Sequence, residues 1–201
     1  MTVARPARPY HHGNLREALL AAGEDALESG GQQGLSLREL AREVGVSHAA
    51  PRRHFPDRQA LLDALAESGF ARLGAALSAA VDGAGAGFDA RLAALARAYI
   101  AFATARPALA ELMFAAKHQA DAPPSLRAAA EAAFAPALTA VADGQAAGEV
   151  APGDPDRVTL VASAALQGIV AMANNGMLDE TPLEDVVDDV VSRLVLGLRP
   201  R

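Results

Sequence analysis

LSLRELAREVGVSHAAPRRHFPDRQALL, from Leu35 to Leu62, is the stretch that decides the fold. It reads as two short helices joined by a tight turn, the second of them basic, which is the outline of a module that reads DNA. Ser36 stands at a helix N-cap position and Glu39, three residues on, completes a capping box, so a helix is expected to start at Leu37. That helix sets Leu37, Leu40, Ala41 and Val44 on one face and leaves Arg38, Arg42 and Glu43 in water. Ala41 is small enough for a second helix to cross close above it. Gly45 is expected to end the helix in a left-handed conformation, which a residue without Cβ adopts most easily. Ser47 then caps a second short helix, in which Pro51 removes at most the first intrahelical bond. Arg52, Arg53 and His54 follow, Phe55 closes the unit against the core, and Asp57 caps a further helix that opens with Arg58 and continues through Leu61, Leu62 and Leu65.

A helix-turn-helix can also be a plain packing unit, and the charge distribution argues against that here. Residues 1–60 hold eight Arg against seven acids, whereas residues 61–201 hold ten basic residues against seventeen acids. Four of the five histidines, His11, His12, His48 and His54, lie in the first segment. Basic character is thus gathered at one end of an acidic chain of net charge −6, as suits a protein that approaches phosphates with that end alone.

The same residues resemble the helix-turn-helix of the TetR-type family of bacterial transcriptional regulators. The capping box, the Ala41-x3-Gly45 turn, Val46-Ser47, His54-Phe55 and the basic residue after the next cap all align. Upstream, Tyr10, His11, His12, Gly13 and Asn14 resemble the opening of a branch whose C-terminal ligand domain is named for a Trp-His-Gly motif. The resemblance implies that the second helix of the motif enters the major groove. It places Ser36, Ser47, His48, Ala49, Arg52, Arg53, His54 and Arg58 where family members touch DNA. Arg52 stands where the family usually has Tyr, and an arginine makes the same phosphate contact with a charge added. Ser163, Gln167 and Gly168 stand where the naming motif would fall, so of that motif only the glycine is present.

Length and composition bound the remainder. A chain of 201 residues, 51% of them hydrophobic, can bury one or two sizeable cores. It has no cysteine, so disulfides and thiolate metal sites are excluded and the reducing cytoplasm suits it. The first thirty residues lack the apolar core of a signal peptide. The most apolar later run, Val158 to Ala173, is broken by Thr159, Ser163 and Gln167 and is expected to be too short for a bilayer. Ala-rich stretches with almost no β-branched alternation before the tail point to an all-α fold.

The chain is expected to divide near Gly69 to Gly74, giving a DNA-binding domain over 1–72, with its helix-turn-helix at about 36–55, and a helical effector-binding and dimerisation domain over 73–201. Asn14 caps a first helix ending at Gly30-Gly31. The helix from Arg58 runs on to the glycine-rich break at Asp82 to Gly87. Phe88 to Arg106 carries Leu92, Leu95, Ala96, Tyr99 and Phe102 on one stripe, and Pro107 restarts a short helix. After a loop at Asp121 to Pro124 a long helix follows, which Pro136 must kink or split. Gly148 to Asp156 links to two last helices.

The final helix repeats apolar residues as Leu183, Val186, Val187, Val190, Val191, Leu194, Val195 and Leu198, with acids opposite, and is strongly amphipathic. The helix before it is apolar nearly all round, as suits one covered on both sides. The resemblance implies that these two helices assemble a homodimer, which would set two reading heads on a palindromic double-stranded site. The alternative is that both finish a monomer's core. Tyr99, Phe102, Met113, Phe114, Phe134, Leu138, Gln167 and Met172 are candidate lining for a small-molecule cavity, or plain core. Gln167, Asn174 and Asn175, on an apolar helix, are expected to pair across a dimer or to meet a ligand.

Enzyme chemistry finds little support. There is no cysteine nucleophile, no His-x3-His pair and no Gly-rich phosphate loop, and His48 and His54 are spaced to face different ways on a helix. No cofactor or metal is expected. The residues and the resemblance together imply a homodimeric, cytoplasmic transcriptional regulator, a repressor released by a small apolar effector. The rivals are a ligand-binding module with a disused DNA head and a sequence-indifferent architectural DNA binder.

Overall fold

Eight α-helices and two 3-10 turns form the regular structure of residues 15–200, the residues that the computed structural model describes, and no strand occurs among them. The stretch Tyr10 to Gly13 and the expected cap at Asn14 lie outside those residues. The helices are α1 (Leu15–Gly30), α2 (Leu37–Glu43), α3 (Arg58–Asp82), α4 (Phe88–Ala105), α5 (Pro107–Lys117), α6 (Pro124–Ala146), α7 (Pro155–Asn174) and α8 (Leu183–Leu198). They fall into two compact units, the first ending at Leu62 and the second starting at Asp63.

That division lies inside α3 and ahead of the glycines expected to mark it. Gly69 and Gly74 do not break the helix; they let neighbours come close. A Cβ on Gly69 would lie 2.5 Å from Met113 Sδ, and one on Gly74 would lie 3.0 Å from the Ala133 Cα. Backbone cannot move aside as a side-chain tip can, so Gly74→Leu is expected to destabilise the protein by about 1–3 kcal/mol despite the better helix propensity of leucine. Thermal unfolding followed by circular dichroism checks this, and an unchanged midpoint would show that α3 and α6 separate freely.

In the first unit α1 buries Leu19, Ala22, Gly23 and Leu27. The chain turns at Gly31, whose φ is +63°, and a 3-10 turn at Gln32–Gly34 leads into α2. Leu19, Leu27, Leu35, Leu40, Ala41, Phe55 and Leu61 are almost fully removed from solvent and form this unit's core. The α2 helix starts at Leu37 without the expected capping box. Ser36 is extended and its carbonyl accepts the Leu40 N–H at 3.0 Å, but its side chain makes no capping bond.

In the second unit α4 packs against α5, α6, α7 and α8 and buries Leu92, Leu95, Ala96, Tyr99 and Ile100. Its N-terminus is closed by Glu149, whose Oε2 accepts the Phe88 N–H at 2.5 Å. Pro136 does not split α6, because the one N–H it lacks leaves the rest of the ladder intact. Asp154 caps α7 by accepting the Asp156 N–H at 3.0 Å. This first turn lengthens α7 to 20 residues, so the expectation that it is too short to cross a membrane fails on length and composition. Its Ala162, Leu166, Ile169 and Val170 are nevertheless buried within the unit, against α4, α6 and α8 among its neighbours. The α8 helix buries Val187, Val191 and Val195. Asp188, one of the acids on its outer side, pairs with Arg97 of α4 at 2.7 Å, although both are well exposed and such a pair contributes little.

Candidate DNA-reading turn and effector cavity

The candidate turn is built from the end of α2. Gly45 takes a left-handed backbone, φ +74°, the Gly45 N–H donates to the Arg42 carbonyl at 3.3 Å, and the Val46 N–H reaches back to the Ala41 carbonyl at 2.9 Å. This Schellman closure satisfies carbonyls that a helix end leaves orphaned and turns the chain sharply. The segment that follows is not the α-helix expected after Ser47. It is a tighter turn with a 3-10 helix at Pro51–Arg53. The reason is Pro51, which has no N–H to give the Ser47 carbonyl, so that carbonyl accepts from Ala50 at 3.0 Å instead. The next bonds, Arg53 N–H to Ala50 and His54 N–H to Pro51, keep the same short spacing.

Pro51 and Phe55 are buried beneath this turn, while Ser47, His48, Ala49, Arg52, Arg53 and His54 are exposed. The Arg16 guanidinium lies 5.6 Å from the Phe55 ring centroid and holds it from the α1 side. Asp57 caps α3 by accepting the Ala60 N–H at 2.8 Å. Ser36 sits half-buried at the start of α2. Arg58 is placed differently from the other candidates. Its Nε donates to the Leu35 carbonyl at 3.1 Å and its guanidinium also donates to the Gln32 carbonyl, so it braces the loop that enters α2.

In the second unit Tyr99, Phe114 and Phe134 meet ring to ring, with centroids 6.2–6.5 Å apart, and Phe70 of α3 meets Phe114 edge-on at 6.0 Å. Burial pushes the Tyr99 phenol up to about 12. Lys117, at the end of α5, lies over three of these rings, its Nζ 4.9 Å from the Phe114 centroid, 5.5 Å from Phe134 and 6.0 Å from Phe70. Burial also lowers its ammonium below the usual lysine range.

Beside this cluster a groove of about 540 Å³ is lined chiefly by α6 and α7. Phe134, Leu138 and Gln167 line it, with Lys117, His118, Arg127, Thr159 and Ser163. A smaller apolar cavity of about 30 Å³, bounded by Tyr99, Phe134, Ser163 and Leu166 among others, adjoins it. The remaining candidates lie elsewhere. Met113 is fully buried against Gly69, Phe102 is half-buried and lines neither space, and Met172 is exposed. Gln167, Asn174 and Asn175 are exposed, not buried, and Asn175 returns its amide to the Ala171 carbonyl at 2.7 Å.

Residues 19–65 match the family model for bacterial regulatory proteins of the tetR family, and residues 92–198 match the tetracyclin repressor-like C-terminal domain, which is over half of the chain. The chain belongs to the TetR family. Over 53 residues it is 43% identical to the tetracycline repressor protein class C of Escherichia coli, a match that covers 26% of this chain and only 24% of that repressor. Its fold superimposes with a TM-score of 0.90 on a Rhodococcus sp. RHA1 protein of unknown function, 50% identical, with 96% of this chain and 100% of that one covered. A TetR family transcription regulator from Marinobacter aquaeolei VT8 shares the fold at 19% identity, with a TM-score of 0.76 and coverage of 92% and 96%.

This TetR-family protein is accordingly a DNA-binding transcriptional regulator, all-helical, with its DNA-binding domain at the N-terminus. The family matches bracket the two sites just described, one falling on the exposed turn and the other on α4 to α8. Sequence reasoning passes over Lys117 and Thr159. Lys117 carries a readable signal, since it follows Phe114 by three residues on one helix and the two must share a face. Thr159 has none, because only the packing of α7 shows that its hydroxyl is enclosed.

Proposed function

We propose that this regulator is a repressor that works in the cytoplasm as a homodimer on a palindromic operator and is released by a small molecule held in its second unit. The observation that supports the dimer most is the outer face of α7. Leu160 and Val161 are 67% and 62% exposed, and Met172 and Met177 continue the bare apolar surface, far more than an isolated helix of a monomer needs to show. Between them Ala164, Gly168 and Ala171 are exposed and small, which lets a second helix approach closely. A two-fold copy laid there also gives the exposed Gln167 amides partners in one another. Two such subunits present two basic turns, which is what an inverted repeat requires.

The release step rests on the placement of Phe70, Gly69 and Gly74. These α3 residues touch Phe114, Met113 and Ala133, so helices that hold a ligand also hold the helix that continues from the reading head. A ligand that fits one arrangement of α5 and α6 better than another shifts α3 by that difference in affinity. Selection from a random pool of duplexes, followed by titration of the recovered site, tests the reading. An inverted repeat is expected, bound tightly and with strong salt dependence, and Leu160→Glu is expected to yield monomers that bind it far more weakly. Recovery of no common sequence would remove the repressor and favour a ligand-binding module with a disused head.

A further inference from the structure

The groove between α6 and α7 carries a charge pattern that core packing does not require. Lys117 presents an ammonium with three N–H donors, and among the described residues no carboxylate pairs with it. The rings beneath it attract the charge but accept no ordinary hydrogen bond, so its donors face the groove unmatched. Across the groove, Thr159 Oγ1 is buried and has no hydrogen-bond partner. A buried hydroxyl left so is costly unless something else completes it. The walls nearby are apolar, through Phe134 and Leu138, and the space falls in the range that holds small organic ligands.

We infer that this groove binds an amphipathic monocarboxylate, its carboxylate on the Lys117 ammonium and its aryl or medium-length acyl body along Phe134 and Leu138. The inference rests on the reading of the second unit as the effector-binding domain and adds one charge to an otherwise apolar effector. A single charge is what the groove selects. Glu131 and Asp156 line it as well and offset the charges of Lys117 and Arg127, and the Arg127 Nη2 donates to the Ala120 carbonyl at 3.1 Å. A second negative charge would therefore meet repulsion, and the single carboxylate is placed at the Lys117 end, where the apolar walls of Phe134 and Leu138 adjoin the ammonium. Because Lys117 also touches Phe70 of α3, an anion bound there bears on the helix that continues toward the reading head.

Calorimetric titration of the full-length protein without DNA tests this with 2-naphthoate and octanoate as probes and 2-naphthol as the uncharged match. At least one carboxylate is expected to bind, with 2-naphthoate preferred over 2-naphthol. Lys117→Met is expected to lower carboxylate affinity by about ten- to a hundredfold while leaving 2-naphthol unchanged. Lys117→Arg keeps the charge and is expected to keep the preference, and Glu131→Gln to strengthen it. Equal binding of naphthoate and naphthol, an unaltered affinity in a folded Lys117→Met protein, or no binding of either carboxylate at millimolar concentration would overturn the inference. Operator release is read separately by anisotropy. Carboxylate binding without loss of operator affinity would keep this site and defeat the release step, whereas release by another ligand with no carboxylate binding would do the reverse.

Discussion

Replacing Phe55 with alanine is expected to cost the protein about 3–5 kcal/mol, enough to melt the first unit. The ring is 1% exposed and sits where the reading turn ends and α3 begins. Its removal takes away a large buried surface and leaves the Arg16 guanidinium over a void. The Phe55 N–H closes the turn onto the Pro51 carbonyl at 2.9 Å, so the backbone that carries Arg52, Arg53 and His54 is held by the same residue that fills the core. Apart from that bond the turn is held by short-spaced ones, which are weaker in geometry than an α-helical ladder. It therefore depends on the packing of Pro51 and Phe55 to stay in shape. Urea unfolding followed by circular dichroism is expected to show a new early transition for Phe55→Ala, with the second unit unfolding separately and later. A single transition displaced by less than about 1 kcal/mol would mean that Phe55 is not the pin of the head.

The head is legible in the sequence because its signals are local. Gly45, Asp57 and the apolar spacing of Leu37, Leu40 and Ala41 act within a few residues, and the turn and the caps form where such residues place them. Two local signals are outweighed. Ser36 and Glu39 have the spacing of a capping box, but spacing does not fix side-chain rotamers, and Ser36 makes no such bond. Pro51 lies close enough to the cap to look harmless, whereas its missing N–H falls on the one bond that would have established α-helical spacing for the whole segment.

Contacts distant in the chain are harder to read. Gly69 and Gly74 look like punctuation in a sequence and are contact points in the fold, because what makes them necessary, Met113 and Ala133, lies in other helices. The exposure of Gln167 is of the same kind. A polar residue on an apolar helix reads as buried when the helix is taken to be covered all round, yet α7 is covered on one face only. The lysine over three rings needs α3, α5 and α6 to be brought together before it exists at all.

The double variant Arg52→Ala, Arg53→Ala is expected to weaken operator binding by roughly ten- to a hundredfold near physiological salt. It is also expected to flatten the plot of log affinity against log salt by about two units, nearly one for each phosphate left without its arginine. Both side chains are exposed on the turn that Pro51 and Phe55 anchor from below, so their loss should leave stability nearly unchanged. That separates them from Arg58, two of whose donors go to the Leu35 and Gln32 carbonyls. Arg58→Ala should loosen the entry to α2 and lower binding through the fold, with a smaller change in salt slope than in unfolding midpoint. His48→Ala differs again, since a residue at the head of the turn that reads a base edge should change which sequences are preferred and leave the slope intact. Anisotropy titrations of the three variants at several salt concentrations resolve these cases. A double variant with an unaltered slope would place the phosphates elsewhere on the head, with exposed Arg38 and Arg42 of α2 as the next cations within it.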